Sequence, residues 1–252
     1  MDRGIYAASS GGLLSSRKLE VVGHNLANVN TVGFKAERLT SRQQEFSDTL
    51  AGILPQTPER ASLDQEVTPG VVSVSTVTDF TQGPVSFTGN PLNVALTNVN
   101  QFFAVQTPEG EAYTKAGNFT TNEQGELVTP DGKTVLGEGG PITINGAQAA
   151  ISGNGSVLVD GNIVGKLKIV EFDDLKQLKR NEGTRFTTTG GAAPRAADSP
   201  QLITSSVEMA NTGVINNMVD MITANKSFES YAKLVQTINE LNEQSLRTPR
   251  SA

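Results

Sequence analysis

The sequence predicts an α+β chain in which long N- and C-terminal helices pair as a coiled coil around a central antiparallel all-β domain. Three observations carry that prediction. A heptad-like stripe of apolar and small residues runs through the first thirty positions, leaving one narrow side of a helix in need of a partner helix. A second stripe, at steps of three and four, runs from Val214 to Leu246. Between the two lie short β-branched runs with Gly, Asn and Pro turns about every ten residues, the signature of an antiparallel sheet domain.

Residues 1–40 are read as an N-terminal assembly helix, with the helix itself expected over 2–32. Ile5, Ala8, Gly12, Ser15, Leu19, Val22, Leu26 and Val29 form its seam, which spans roughly 36 Å at ~1.5 Å per residue. Gly11 and Gly12 have two readings: a local weakness that frays the helix, or a gap that admits a close neighbour. Asn25, Asn28 and Asn30 crowd poor helix formers into the last turns. Their amides either cap a fraying end or bond to neighbouring chains. Gly33 stands where a helix stop belongs.

Residues 41–90 are expected to be a connector, with a short helix over Arg42–Ile53 and breaks at Pro55, Pro58 and Pro69-Gly70. The β-branched run around Val71–Thr78 lacks a polar face, so a strand covered on both sides is expected there. The body domain is placed at 91–205. Its strand candidates are Leu92–Thr97, Phe102–Gln106, Ala112–Lys115, Asn118–Thr121, Leu127–Thr129, Pro141–Ile144, Ala149–Ser152, Val157–Val159 and Lys166–Phe172, followed by a soft loop over Gly183–Ser199. Residues 206–252 are read as the C-terminal assembly helix, capped at Asn211-Thr212-Gly213 and ended by Thr248–Ala252. Met218, Met221, Phe228, Tyr231, Val235, Ile238 and Leu241 share one side of it.

Composition narrows the function. Hydrophobic residues make up 37% of the 252 and Trp is absent, a thin core for this length that suits ends buried in an assembly. With no Cys, disulfides and thiolate metal sites are excluded. The net charge of −6 is uneven: residues 1–40 carry five basic against three acidic side chains, so the middle is acidic and offers no basic surface for nucleic acid. No apolar run reaches the ~20 residues of a membrane span, so no membrane insertion is expected, and no apolar segment of a cleaved leader follows the basic start.

No catalytic, cofactor or metal site is expected. The one His, His24, has no second His or Cys with which to share a metal, and a surface or inter-subunit contact is the better reading. Gly137-Glu138-Gly139-Gly140 lacks the Gly-Lys-Ser/Thr ending of a phosphate loop and reads as a turn. Asp173-Asp174 reads as a solvated acidic turn. A β-domain enzyme or carbohydrate-binding module with helical tails is the alternative of a different class. It would need convergent polar groups that no motif supplies.

Several motifs carry a family resemblance. Arg3-Gly4-Ile5-Tyr6-Ala7-Ala8-Ser9, Asn25-Leu26-Ala27-Asn28 and Thr31-Val32-Gly33-Phe34-Lys35 resemble the flagellar basal-body rod proteins. Tyr113-Thr114-Lys115-Ala116-Gly117-Asn118-Phe119 and Gly125-Glu126-Leu127-Val128-Thr129 are similar to the body motif of the same family. The opening Met1–Tyr6, the Gly137–Ile144 run and the length are most similar to its proximal-rod branch, with the distal-rod branch as the alternative. One departure stands out: Asn98-Val99-Asn100-Gln101 replaces the family's Gly-x-Gly before Phe102-Phe103, and Asn is expected to keep the turn by tolerating positive φ.

The resemblance implies a structural subunit that polymerises through its terminal helices into a torque-transmitting rod in the periplasm. Its implied partners are copies of itself, other flagellar axial proteins (inner rod proteins below, distal rod protein above) and the flagellar type III export apparatus, which replaces a cleaved signal. No cofactor is implied. The assembly interface is expected at Ile5, Leu19, Val22, Asn25, Leu26, Asn28 and Phe34, and at Met218, Met221, Phe228, Tyr231, Val235, Ile238 and Leu241.

Overall fold

The structure, a computed structural model, describes residues 2–43, 72–189 and 194–247. It is α+β, with one helix near each end of the chain and antiparallel strands between them. The chain divides into two compact units: residues 1–26, 37–77 and 215–252 form one, and residues 27–36 and 78–214 form the other.

In the first unit, helix α1 covers Asp2–Ala27 and helix α2 covers Val214–Arg247. Burial along α1 follows the heptad: Ala8, Ser15 and Val22 are buried, and Ile5, Gly12, Leu19 and Leu26 are half-buried. The helix ends at Ala27, earlier than residue 32, because residues 28–33 fold into consecutive turns. Val29 therefore leaves the seam. Gly33 takes φ +70° in the last of these turns.

Strand Glu37–Gln43 follows and pairs with Val72–Thr78 in a two-stranded sheet. Arg42 and Gln43 thus end a strand instead of starting a helix, and the rest of the expected Arg42–Ile53 helix, with Pro55, Pro58 and Pro69-Gly70, lies outside the described residues. Val72–Thr78 is a strand as its β-branched content predicts, but it is not covered on both faces. Ser75, Thr76 and Val77 are exposed.

The second unit is built around the antiparallel pair Gln101–Thr107 and Gly110–Thr114. These sit inside a ten-stranded sheet that also takes in Thr134–Gly137, Arg185–Thr188 and Ile169–Glu171. Alternation sends Phe103, Val105 and Ala112 to an aliphatic core with Leu127, Val135, Val157 and Leu167. Phe102, Ala104 and Tyr113 go to the opposite face, where Phe80, Phe172 and Phe186 pack at centroid distances of 5.0–6.1 Å, mostly edge-to-face. Burial on both faces explains a run of five fully buried residues in one strand.

Several expectations need correction here. Arg185–Thr188 and Arg195–Ala196 are strands within the stretch read as a soft loop, and Phe186 is fully buried. Strand Ser206–Glu208 lies within the segment assigned to the closing helix, and the helix itself starts at Val214, directly after the expected cap at Asn211-Thr212-Gly213, while Thr248–Ala252 lies outside the described residues. Asn98 and Asn100 do not adopt positive φ; among the described non-Gly residues only Asp160 and Ser205 do. The turn is kept instead by the Asn98 side chain, whose Oδ1 accepts from Asn100 N at 3.0 Å, and by Phe172 N donating to Asn100 O at 3.1 Å.

Gly117 marks the tightest backbone contact. A Cβ there would stand 1.8 Å from Val94 O, where Val94 N donates to Gly117 O. Gly117→Ala should lower the urea midpoint of the folded chain by a shift equivalent to about 1–3 kcal/mol. Gly139→Ala, with open space around its Cβ, should leave the midpoint almost unchanged.

Candidate assembly surfaces and the anchored chain ends

In the helical unit, α1 and α2 meet antiparallel. A Cβ on Gly11 would lie 2.5 Å from the Tyr231 ring, and one on Gly23 would lie 3.9 Å from Met221 Cε. Lys18 Nζ stands 3.8 Å from Asp220. Gly11 therefore serves close approach and not fraying, and α1 runs through it without interruption. The face of α2 turned inward carries Asn217 and Ala224, both buried, with Met221, Val235 and Ile238 half-buried.

A second set of apolar residues on α2 is exposed among the described residues. Val214, Ile215, Met218, Val219 and Ile222 are exposed, and further along so are Phe228, Leu234 and Leu241. Ile215 reaches 77% exposure. The predicted stripe thus splits: Met221, Val235 and Ile238 are half-buried, Tyr231 stands against Gly11 and Gly12, and Met218, Phe228 and Leu241 face solvent. Among the described residues of α1 the exposed large apolar one is Leu13, while Arg17, Glu20 and His24 present a polar face.

The Asn residues divide as well. Asn25 is buried, and its amide clamps the main chain of Glu37 both ways: Nδ2 donates to Glu37 O at 2.8 Å, and Glu37 N donates to Oδ1 at 2.9 Å. Both ends of that amide are used within the chain. Asn28 Oδ1 accepts from Thr31 Oγ1 at 3.1 Å in the turn that follows α1. His24 Nδ1 lies 3.3 Å from Glu37 Oε2, a contact within the chain. Among the described residues no cluster of three or more His, Asp or Glu could hold a metal.

In the body unit, the segment that follows α1 is bound by the segment that precedes α2. Gly33 N donates to Glu208 O at 2.7 Å, Ala36 N donates to Asn211 Oδ1 at 2.6 Å, and Asn211 Nδ2 reaches Asp79 O and Thr81 O. Gly33 lies against the main chain of Lys115 and Ala116, where a Cβ would stand 2.3 Å from Ala116 N. Phe34 is buried beneath Arg180, whose guanidinium carbon lies 4.7 Å from the ring centroid, so this expected interface residue packs inside its own chain.

Under this junction sits a buried ion pair. Lys35 Nζ lies 2.5 Å from Glu208 Oε1, and both side chains are 1% exposed. Lys35 Nζ also donates to Thr81 O, and Gly83 N donates to Glu208 Oε1, each at 2.8 Å. Lys115 is equally buried; its Nζ donates to Asn98 O at 2.8 Å and lies 4.5 Å from the Phe102 centroid. Burial, opposed by Glu208 and reinforced by Lys35, pulls the Lys115 ammonium from 10.5 down to about 7. Glu208, Asn211 and Lys115 were not expected as site residues. Asn211 reads in the sequence only as a helix cap and Lys115 only as part of a strand candidate and a family motif, and Glu208 is a charged residue inside a short strand.

Three family profiles match the chain. Flagella basal body rod protein covers residues 5–35, Flagellar hook protein FlgE/F/G D1 domain covers 98–159, and Flagellar basal body rod FlgEFG protein C-terminal covers 203–248. They define a class that spans flagellar hook and basal-body rod proteins. The chain belongs to the flagellar basal-body rod protein family. It is 32% identical over 247 residues to the flagellar basal-body rod protein FlgF of Caulobacter vibrioides, covering 96% of each chain. It is also 32% identical to FlgG of the same organism, over 94% of this chain and 95% of the relative, and 31% identical to FlgF of Salmonella typhimurium, over 95% of each.

The depressed Lys115 value has a definite pH consequence. Between about pH 7 and 10 the unfolded chain holds this proton and the folded chain does not, so stability rises with pH across that window. Tyr113, raised to about 12 by burial and by Glu111, stays protonated throughout it. Urea unfolding at pH 7 and pH 9.5 should show a higher midpoint at 9.5, and Lys115→Met should remove that difference.

Proposed function

We propose that this protein is a structural subunit of the proximal rod of the bacterial flagellar basal body. It polymerises through α1 and α2 into the drive shaft that carries motor torque toward the hook. The observation that carries the reading is the uncovered apolar face of α2 at Ile215, Met218, Val219 and Ile222, in a chain whose inner helix face is already in use. Fully burying one such side chain contributes about 1.5–3 kcal/mol. Copies stacked head to tail bury these faces repeatedly, and a contact that does not close into a ring extends into a helical filament. Coiled-coil packing of α1 with α2 supplies the stiffness that torque requires, through dense cores.

FlgF and FlgG relatives stand at similar identity. The proximal assignment is favoured by the Met1–Tyr6 opening and the Gly137–Ile144 run, with the distal rod as the alternative. Inner rod proteins below, distal rod protein above and further copies are the partners of the periplasmic rod, and the flagellar type III export apparatus delivers the chain. The work is mechanical, not enzymatic, and needs no cofactor. Ile5, Leu19, Val22 and Leu26 support assembly by holding α1 against α2, whereas Met218, Phe228 and Leu241 meet neighbours directly.

Met218→Asp tests this division. The isolated variant should match wild type in circular dichroism and thermal midpoint, yet fail to enter purified basal bodies and fail to support swimming. Normal incorporation and normal motility would contradict the assignment.

A further inference from the structure

The sequence contains two Asn-Gly pairs, Asn145-Gly146 and Asn154-Gly155, and both lie in connections between strands of the body unit. Such a pair carries a latent cyclisation. With no Cβ on the second residue, its main-chain nitrogen can approach the side-chain carbonyl carbon of the first. The fold decides whether that approach is open, and the two pairs differ in every respect that matters. At Asn154 the approach is blocked. Its Oδ1 accepts from Ser152 Oγ at 2.5 Å and from Ser156 N at 3.1 Å, and the nitrogen that would attack is already committed, since Gly155 N donates to Ser152 O at 2.9 Å. Gly155 is also buried, away from the base and water that the reaction needs. Asn145 and Gly146 are both exposed. Among the described residues neither the Asn145 side chain nor Gly146 N takes part in a hydrogen bond. The loop is held on either side of the pair instead: Ile144 N donates to Gly125 O at 2.6 Å, and Gln148 N donates to Asp160 Oδ1 at 3.0 Å.

We propose that Asn145 is a site of spontaneous deamidation. Gly146 N gives up its proton to solvent and attacks Asn145 Cγ. The new C–N bond closes a succinimide ring, and Nδ2 leaves as ammonia after taking a proton from water. A second water then opens the ring at one of its two carbonyls, leaving aspartate or isoaspartate. The product adds a carboxylate to a loop that already lies against one: a Cβ on Gly146 would stand 2.3 Å from Val159 Cγ1 and 2.4 Å from Asp160 Oδ2. The isoaspartate form also lengthens the main chain by one carbon where Gly146 has no space to shift, so the modified loop loosens from Val159 and Asp160. This chemistry belongs to the body unit alone and is independent of which rod the subunit builds.

Peptide mapping by mass spectrometry tests the assignment, on the full chain incubated in mildly alkaline buffer with and without urea. In the folded chain Asn145 should deamidate at least about tenfold faster than Asn154, a rate ratio that the hydrogen bonds on Asn154 and Gly155 can supply. In urea, where Ser152 and Ser156 no longer hold Asn154, the two rates should agree within about threefold. Ser152→Ala should speed deamidation at Asn154 in the folded chain and leave the rate at Asn145 unchanged. Asn145→Gln should remove the dominant deamidated peptide while its circular dichroism matches wild type. Absence of product at Asn145 in the folded chain, equal rates at the two sites there, or a ratio that urea does not change would each overturn the proposal.

Discussion

Glu208 is the residue on which the body unit closes. Its carbonyl receives Gly33 N–H and its carboxylate receives Lys35 and Gly83 N–H, so one strand residue holds the N-terminal segment by main chain and side chain together. A buried carboxylate is tolerable only with such partners; removing one member of a buried ion pair costs about 3–5 kcal/mol. Asn211, three residues on, repeats the device with a neutral amide that links Ala36, Asp79 and Thr81. Segments far apart in the chain are thereby joined inside one compact unit.

The helical unit follows a different logic. Its inner seam is built from small residues: Gly11 and Gly12 on α1 let Tyr231 approach closely, and Ala8 and Ser15 on α1 and Ala224 on α2 are buried. Small residues give contact at the expense of buried area, so the pair spends little of its apolar surface internally. Much of the remainder lies on α2 at Val214, Ile215, Met218, Val219 and Ile222. Exposed single apolar residues are ordinary, but a run at helical spacing marks an interaction surface.

Part of this was legible in the chain itself. The buried positions Ala8, Ser15 and Val22 of α1 lie on the expected stripe, and a strand at Phe102–Gln106 followed from an apolar run between turns, although its burial on both faces was not foreseen. What escaped detection was non-local. Strand Arg185–Thr188 hides in a Gly- and Ala-rich stretch because Phe186 is its one large apolar residue. Strand Ser206–Glu208 reads as the start of a helix because its partner, Val85–Phe87, lies over a hundred residues away. The stripe on α2 gave positions but not faces: Met218 and Met221 are three residues apart, yet only the placement of α1 separates the exposed one from the half-buried one.

The absence of native Cys makes the central claim open to a direct measurement with Met218→Cys as a single label. In the dilute subunit the thiol should react with a maleimide at nearly the rate of a free thiol, and in assembled rods it should be protected because a neighbouring copy covers it. Equal reactivity in both states would contradict the account.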